Sequence, residues 1–249
     1  AGRLLPCRVF VGVGPFFITL LQRCHSFLKG ADAAFMVSDT VGYIKLTKFS
    51  RTTYKEFVEA SSKLIDQGMT SLVFDLRDNT GGYFDQALLL SNEFLQKGAA
   101  IVYMEGLHRP RQQYDADGRG KMKDISLTVL IDEGSASSSE IFAGAIQDND
   151  RGVIVGRRSF GKGLVQEPIN FTDGSGIRLT VARFYTPSGR CIQKPYDENY
   201  NYDIFERYAH GEMTSADSMK VDSTALYYTV KGRRVYGGGG IIHDTFVPI

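Results

Sequence analysis

The 249-residue sequence is short of the usual catalytic reagents, with 4 His and 3 Cys. Cys7, Cys24 and Cys191 lie far apart, so there is no CxxC metal or redox motif, and an odd count argues against a disulfide framework. His25, His108, His210 and His243 show neither HExxH nor another metal-ligand spacing. With 29 basic residues against 28 acidic ones, the net charge of +1 gives no general electrostatic reason to bind nucleic acid or an anionic membrane. The most apolar stretch near the start, 9–21, is broken by Gly12, Gly14 and Pro15 and is too short to span a membrane as a helix. It has the length of a signal-peptide core, but Gln22-Arg23-Cys24-His25 supplies no small-x-small cleavage site. It reads equally well as part of a buried strand pair, and no function is assigned to it.

From about Ala34 the pattern is regular. Val41–Leu46 reads as a strand, Thr53 opens a helix with Phe57, Leu64 and Ile65 on its apolar side, and 71–76 is a strand buried on both faces. A turn at Asn79-Thr80-Gly81-Gly82 leads into a helix carrying Ala87, Leu88, Leu90, Phe94 and Leu95. Strands are expected at 99–104, 126–131 and 152–156, a helix at 138–147, and a polar surface excursion at 108–123. Strands alternating with helices imply right-handed crossovers and a mainly parallel sheet. After Lys162 the texture changes to an antiparallel hairpin, 164–170 with 176–185, followed by a polar, Tyr-rich stretch.

Three segments place glycine, small polar residues and a reactive group at strand ends, where α/β proteins keep their sites. In Asp75-Leu76-Arg77-Asp78-Asn79-Thr80-Gly81-Gly82, the Gly pair lets backbone N–H groups face a ligand, although an ordinary strand-to-helix turn has the same composition. In Gly134-Ser135-Ala136-Ser137-Ser138-Ser139-Glu140, a serine would sit at a helix N-terminus able to stabilise an oxyanion. Ser137-x-x-Glu140 also fits a capping box, which would make Ser137 an N-cap. The third, 156–163, spells GxxxxGK, but Gly163 replaces the Ser/Thr of a phosphate loop and a strand follows where a helix is required.

Together the second and third segments are compatible with serine chemistry that uses a lysine base. A serine hydroxyl needs a base, and a lysine serves only when its amine is neutral. Lysine's ordinary pKa is near 10.4, so a lysine base near neutral pH requires burial worth about 4 kcal/mol of differential solvation. Lys162, flanked by Gly161 and Gly163, is the candidate, expected to insert into a cavity with Gln166 orienting its amine.

The run GSASSSEIFAGAIQDNDRGVIVGRRSFGKGLVQ (134–166) resembles the catalytic core of the carboxy-terminal processing, or tail-specific, peptidases. DLRDNTGGYFDQA, FYTPSGRCIQ and VYGGGGI are similar to that family's segments in the same order, so the resemblance covers about 34–249. It implies Ser137 as nucleophile, Lys162 as general base and Gln166 as the residue orienting the lysine. It further implies an oxyanion hole of the Ser138 N–H and one N–H of the Gly pair, with Gly81 preferred over Gly82. The implied fold is an α/β, ClpP/crotonase-like core of repeated ββα units, with a mainly antiparallel β C-terminal part.

Residues 1–33 would then be at most a remnant of the family's PDZ domain, 34–195 the peptidase core, and 196–249 an extension completing it. His243 stands where the family is expected to have proline. Implied partners are protein or peptide substrates, unfolded or C-terminal segments, with no nucleic acid, metal or organic cofactor. An exported, bacterial cell-envelope location, periplasmic in kind, is implied by the resemblance alone. The alternative is a non-catalytic relative on the same core, binding a hydrophobic ligand or acting as a scaffold; acyl-CoA chemistry of the crotonase kind fits the motifs less well.

Overall fold

The computed structural model describes residues 31–197, 200 and 202–249, so the expectations for 1–30 lie outside the described residues. Strands β1 (Ala31–Met36) and β2 (Val41–Leu46) are followed by helix α1 (Thr53–Asp66), strand β3 (Ser71–Asp75) and helix α2 (Phe84–Phe94). Next come β4 (Ala100–Gly106), β5 (Arg109–Asp115), β6 (Ser126–Ile131), α3 (Ser138–Asp148) and β7 (Val153–Gly156). The hairpin β8 (Leu164–Asn170) and β9 (Gly176–Tyr185) precedes the short helix α4 (Asp203–Ala209). The pair β10 (Leu226–Tyr228) and β11 (Arg234–Tyr236) and the two-residue β12 (Thr245–Phe246) complete the chain.

The six-stranded sheet has the order β1-β2-β3-β6-β7-β12. All its neighbours pair in parallel except β1, which is antiparallel to β2. Apolar residues on one face of β3 and β6, Leu72, Phe74, Leu127, Val129 and Ile131, are buried, while Val73, Thr128 and Leu130 on the other face are half-buried. A four-stranded antiparallel sheet, β5-β4-β9-β8, lies beside it. Helix α3 is buried along its whole length, and its Ser/Ala/Gly-rich sequence lets it fit. A Cβ on Gly144 would come within 2.7 Å of the Thr186 side chain. Phe142 of α3 meets Phe74 of β3 and Phe94 of α2 edge-on, with ring centroids 5.1 and 5.7 Å apart. At the C-terminal end of α3, where a cation is favoured, the buried Arg190 guanidinium donates to Asp148 and Gln147 at 2.6 and 2.7 Å.

Three expectations need correcting. Residues 109–115, read as part of a surface excursion, form strand β5. Its side chains are nearly all exposed, so it carries no apolar period, and its backbone pairing with β4 alone makes it a strand. Ile65 is half-exposed while Phe57 and Leu64 are buried, because Ile65 lies one step round the helix from the core-facing line. The strand at 71–76, expected to be buried on both faces, alternates instead, with Leu72 and Phe74 buried and Ser71 and Val73 half-buried. The pairs β8–β9 and β10–β11 are antiparallel, as expected of the C-terminal part, and Thr245–Phe246 joins the large sheet in parallel.

Candidate active site

The turn between β6 and α3 carries four serines with unlike surroundings. Ser135 Oγ donates to the Leu76 carbonyl at 2.8 Å, Ser139 Oγ to Asn79 at 2.8 Å and Ser138 Oγ to Gly82 at 3.1 Å. These three are buried and stitch the serine turn to the turn after β3. Ser137 is half-buried, and its hydroxyl donates to none of these carbonyls. Its backbone has φ 56° and ψ −112°, a conformation that costs a non-glycine residue on the order of 1–3 kcal/mol. A sharp, strained strand-to-helix turn of this kind raises a nucleophile clear of its neighbours.

Ser137 is the N-cap of α3 and pairs with Glu140 as a capping box, so the capping reading holds, and it leaves the serine hydroxyl at the mouth of the turn. The Ser137 N–H donates to Glu140 Oε2 at 2.7 Å. The Ser138 N–H, in the first turn of α3, meets no acceptor among the described residues and lies at the positive end of the helix dipole.

The Gly pair packs directly against this serine. A Cβ on Gly81, at φ +91°, would lie 2.8 Å from Ser137 Cβ, 2.8 Å from Ser138 N and 2.6 Å from the Ala136 carbonyl. The Gly81 N–H donates to Asn79 Oδ1 at 2.9 Å, so it can reach an oxyanion only by sharing or exchanging that acceptor. Asn79 is itself tied to the Leu46 carbonyl at 2.7 Å. Asp132 accepts the N–H groups of Asp78 and Gly134 at 2.9 and 3.0 Å, joining the two turns from below.

Asp75, buried at the end of β3, anchors the first turn by accepting from Tyr43 OH at 2.6 Å, Arg77 Nη2 at 2.6 Å, and Arg77 N and Nε at 2.9 Å. Burial alone would raise its pKa, but the Arg77 guanidinium and the Tyr43 hydroxyl outweigh it and hold the carboxyl below its ordinary 3.8. Burial and the Asp75 carboxylate push the Tyr43 phenol up to about 12. A depressed carboxyl contributes stability that is present above its ordinary pKa and lost as pH falls through the folded-state value. Melting temperatures at pH 5, 4 and 3 are therefore expected to fall more steeply for the wild type than for Asp75→Asn. Parallel slopes would remove Asp75 as a source of acid sensitivity.

The loop between β7 and β8 brings Lys162 to the same place through its backbone. Glu140 is wholly buried and accepts four hydrogen bonds: from Ser159 Oγ (2.5 Å) and Gly161 N (2.6 Å) on Oε1, and from Ser137 N (2.7 Å) and Lys162 N (2.8 Å) on Oε2. Burial drives the Glu140 pKa up, and these donors oppose the rise. Ser137 and Lys162 thus share one carboxylate oxygen. Glu140 was read from the sequence only as a capping residue, and the capping-box spacing was the one signal available for it.

The expected insertion of Lys162 into a cavity is corrected: its side chain is exposed, and no hydrogen bond joins it to Ser137 or Gln166 among the described residues. The flanking glycines admit backbone instead. A Cβ on Gly163 would lie 2.6 Å from Gln193 N, and one on Gly161, at φ +88°, 3.0 Å from Lys194 Cβ. Gln166 is exposed on β8, at a register shift against β9, where irregularities commonly re-aim a side chain beside a site. Among the described residues no group of three or more His, Cys, Asp or Glu is placed to hold a metal ion, and no helix is long and apolar enough to cross a membrane.

Residues 40–201 match peptidase family S41. The chain is 40% identical over 155 residues to a carboxyl-terminal-processing protease of Synechocystis sp., covering 62% of this chain and 36% of that protein. It is 38% identical over 171 residues to a chloroplastic C-terminal processing peptidase of Tetradesmus obliquus, covering 69% and 37%. The chain therefore spans little more than a third of the length of these relatives. A solved photosystem II D1 C-terminal processing protease superposes with a TM-score of 0.62 at 29% identity, covering 88% of this chain and 46% of that one. The serine turn, the Gly pair and the lysine loop all fall within the matched residues, and the chain belongs to peptidase family S41.

Proposed function

We propose that the chain is the catalytic core of a serine endopeptidase of the C-terminal processing type, acting through Ser137, Lys162 and Gln166. The observation that carries this reading is Glu140 Oε2, which holds the N–H groups of Ser137 and Lys162 at 2.7 and 2.8 Å and so fixes both reagents from one point. The Lys162 side chain, exposed and without a hydrogen bond among the described residues, swings toward Ser137 when substrate is bound. Its amine takes the hydroxyl proton as Ser137 Oγ attacks the scissile carbonyl, then passes it to the leaving amine. The Ser138 N–H, with the Gly81 N–H released from Asn79, stabilises the tetrahedral oxyanion, and water hydrolyses the acyl-enzyme. Gln166 orients the amine. No step calls for a metal or organic cofactor.

The substrate is an extended segment of a protein chain, unfolded or C-terminal. Strand β9 pairs with β8 along its length and with β4 at 183–185, whereas β8 has one edge unpaired among the described residues. Strand β8 begins two residues after Lys162 and tolerates Pro168, as an edge strand can. We read the core as ClpP/crotonase-like, running over 34–195 and completed by 196–249; the place of β12 in the large sheet supports the latter. An exported location belongs to the same reading, although one of the relatives is chloroplastic by name.

The exposed Lys162, without a bond to Ser137, is also what a non-catalytic relative would show. Incubation with unfolded casein separates the two. The wild type is expected to cleave it, Ser137→Ala is expected not to, and cleavage by Ser137→Ala at the wild-type rate would end the serine assignment.

A further inference from the structure

We propose that Arg207 is a positioning residue for Lys162, delivered by α4 as a clamp on the lysine loop; the proposal rests on the peptidase reading above. The loop from Arg157 to Gly163 forms no helix or strand; its backbone is tied at single points, such as Ser159 N–H to the Ile241 carbonyl at 3.0 Å and Phe160 N–H to the Ser135 carbonyl at 2.9 Å, and side chains add to these ties. Arg207 is the one buried residue of α4, and the helix otherwise presents Phe205, Glu206 and Tyr208 to solvent. The inward contact of α4 is therefore this guanidinium, and it grips backbone. Nη2 donates to the Arg158 carbonyl at 2.6 Å and Nη1 to the Ser159 carbonyl at 3.1 Å.

Glu212 holds the guanidinium in place, accepting Arg207 Nε at 2.9 Å and, from the loop itself, Arg158 Nε and Nη2 at 2.8 and 2.7 Å. All three ionic groups are largely buried. The gripped residue, Ser159, sends its hydroxyl to Glu140 Oε1 and accepts the Ile241 N–H on the same oxygen at 2.7 Å. A continuous path thus runs from Arg207 through Ser159 to the carboxylate that aligns Ser137 and Lys162. A second contact closes the other side: the Lys194 N–H donates to the Gly161 carbonyl at 3.0 Å, and its buried ammonium sits over the rings of Phe160 and Tyr200 while pairing with Asp203 at the start of α4. Were Arg207 only a means of attaching α4, side-chain partners would serve. Its carbonyl acceptors instead set the peptide planes leading into Phe160-Gly161-Lys162.

The test uses the whole chain with Arg207→Met, Arg207→Lys and Glu212→Gln, the last retaining Arg207 should the first fail to fold. Turnover of an internally quenched peptide taken from a casein cleavage site is expected to show kcat lowered by about 10- to 100-fold in Arg207→Met, with KM changed by less than about threefold. Arg207→Lys keeps the charge but not the forked donors, and should recover only part of the loss. Hydrogen exchange supplies a readout independent of turnover: amides of 159–163 should exchange at least roughly tenfold faster in Arg207→Met and Glu212→Gln, with those of β3 unchanged. Unchanged exchange at 159–163, an equal rise in β3, or wild-type kcat in an otherwise active enzyme would overturn the clamp. If the wild type cleaves nothing, the peptidase reading fails on its own and the exchange data still decide the clamp.

Discussion

Lys162→Ala is expected to lower kcat on unfolded casein by roughly 10³-fold or more while leaving the melting temperature within about 2 °C of the wild type. The two halves of this result follow from the same fact. The Lys162 side chain is exposed and makes no hydrogen bond or ion pair among the described residues, so removing it takes nothing from the folded state. Its backbone N–H, which holds the loop to Glu140, survives the substitution. The activity loss is then chemical rather than structural. Without a base within reach of Ser137 the hydroxyl must attack as a neutral O–H, a poor nucleophile, and among the described residues no histidine bonds to the serine turn to replace the lysine. Lys162→Arg should be about as inactive, since a guanidinium stays protonated at any working pH. A Lys162→Ala enzyme within tenfold of wild type would remove lysine from the mechanism.

The elements with a strong apolar period were readable. Val41–Leu46 and Ser126–Ile131 occur where expected because alternating burial shapes their composition, and the largely exposed strands of the 164–185 hairpin occur where expected on either side of the Thr172-Asp173-Gly174-Ser175 turn. What escaped was held by backbone or by distant partners. β5 is made by pairing with β4 and carries seven largely exposed residues, so nothing in its side chains distinguishes it from a loop. The site was legible as a set of motifs, since glycines that admit no Cβ and a serine at a positive φ leave short, unusual strings. The lysine's surroundings were not. Two glycines suggested close insertion into a cavity, whereas the backbone they admit is that of 193–194, brought in from thirty residues away. Arg207 and Glu212 lay in a stretch with no pattern at all, because their partners are main-chain carbonyls and a guanidinium in a separate loop.

Glu140→Gln should be the most damaging substitution outside the reacting groups, and for both stability and rate. The carboxylate receives four donors and offers two oxygens to do so, at 2.5 to 2.8 Å. An amide keeps one oxygen and turns an NH2 toward two donors, either Ser159 Oγ and the Gly161 N–H or the N–H groups of Ser137 and Lys162. Two buried donors left without an acceptor cost about 1–3 kcal/mol each, which at this chain length lowers the melting temperature by roughly 4–24 °C. The rate effect is separable by assay well below the transition. Loss of the shared oxygen frees Ser137 from its strained φ and lets the lysine loop drift, and misplacement of about 1 Å is worth roughly 10²-fold in kcat. The sign of the pH dependence follows from burial. The Glu140 pKa lies above its ordinary 4.5, so the folded state holds that proton more tightly, and this contribution to stability is present below 4.5 and lost as pH rises through the folded-state value. Glu140→Gln does not titrate, so its stability deficit should be largest in acid and narrow as the wild type loses that contribution. A variant with wild-type kcat and an unchanged melting temperature would mean that the two N–H groups are held by their own loops, and that the carboxylate joins Ser137 to Lys162 in geometry but not in function.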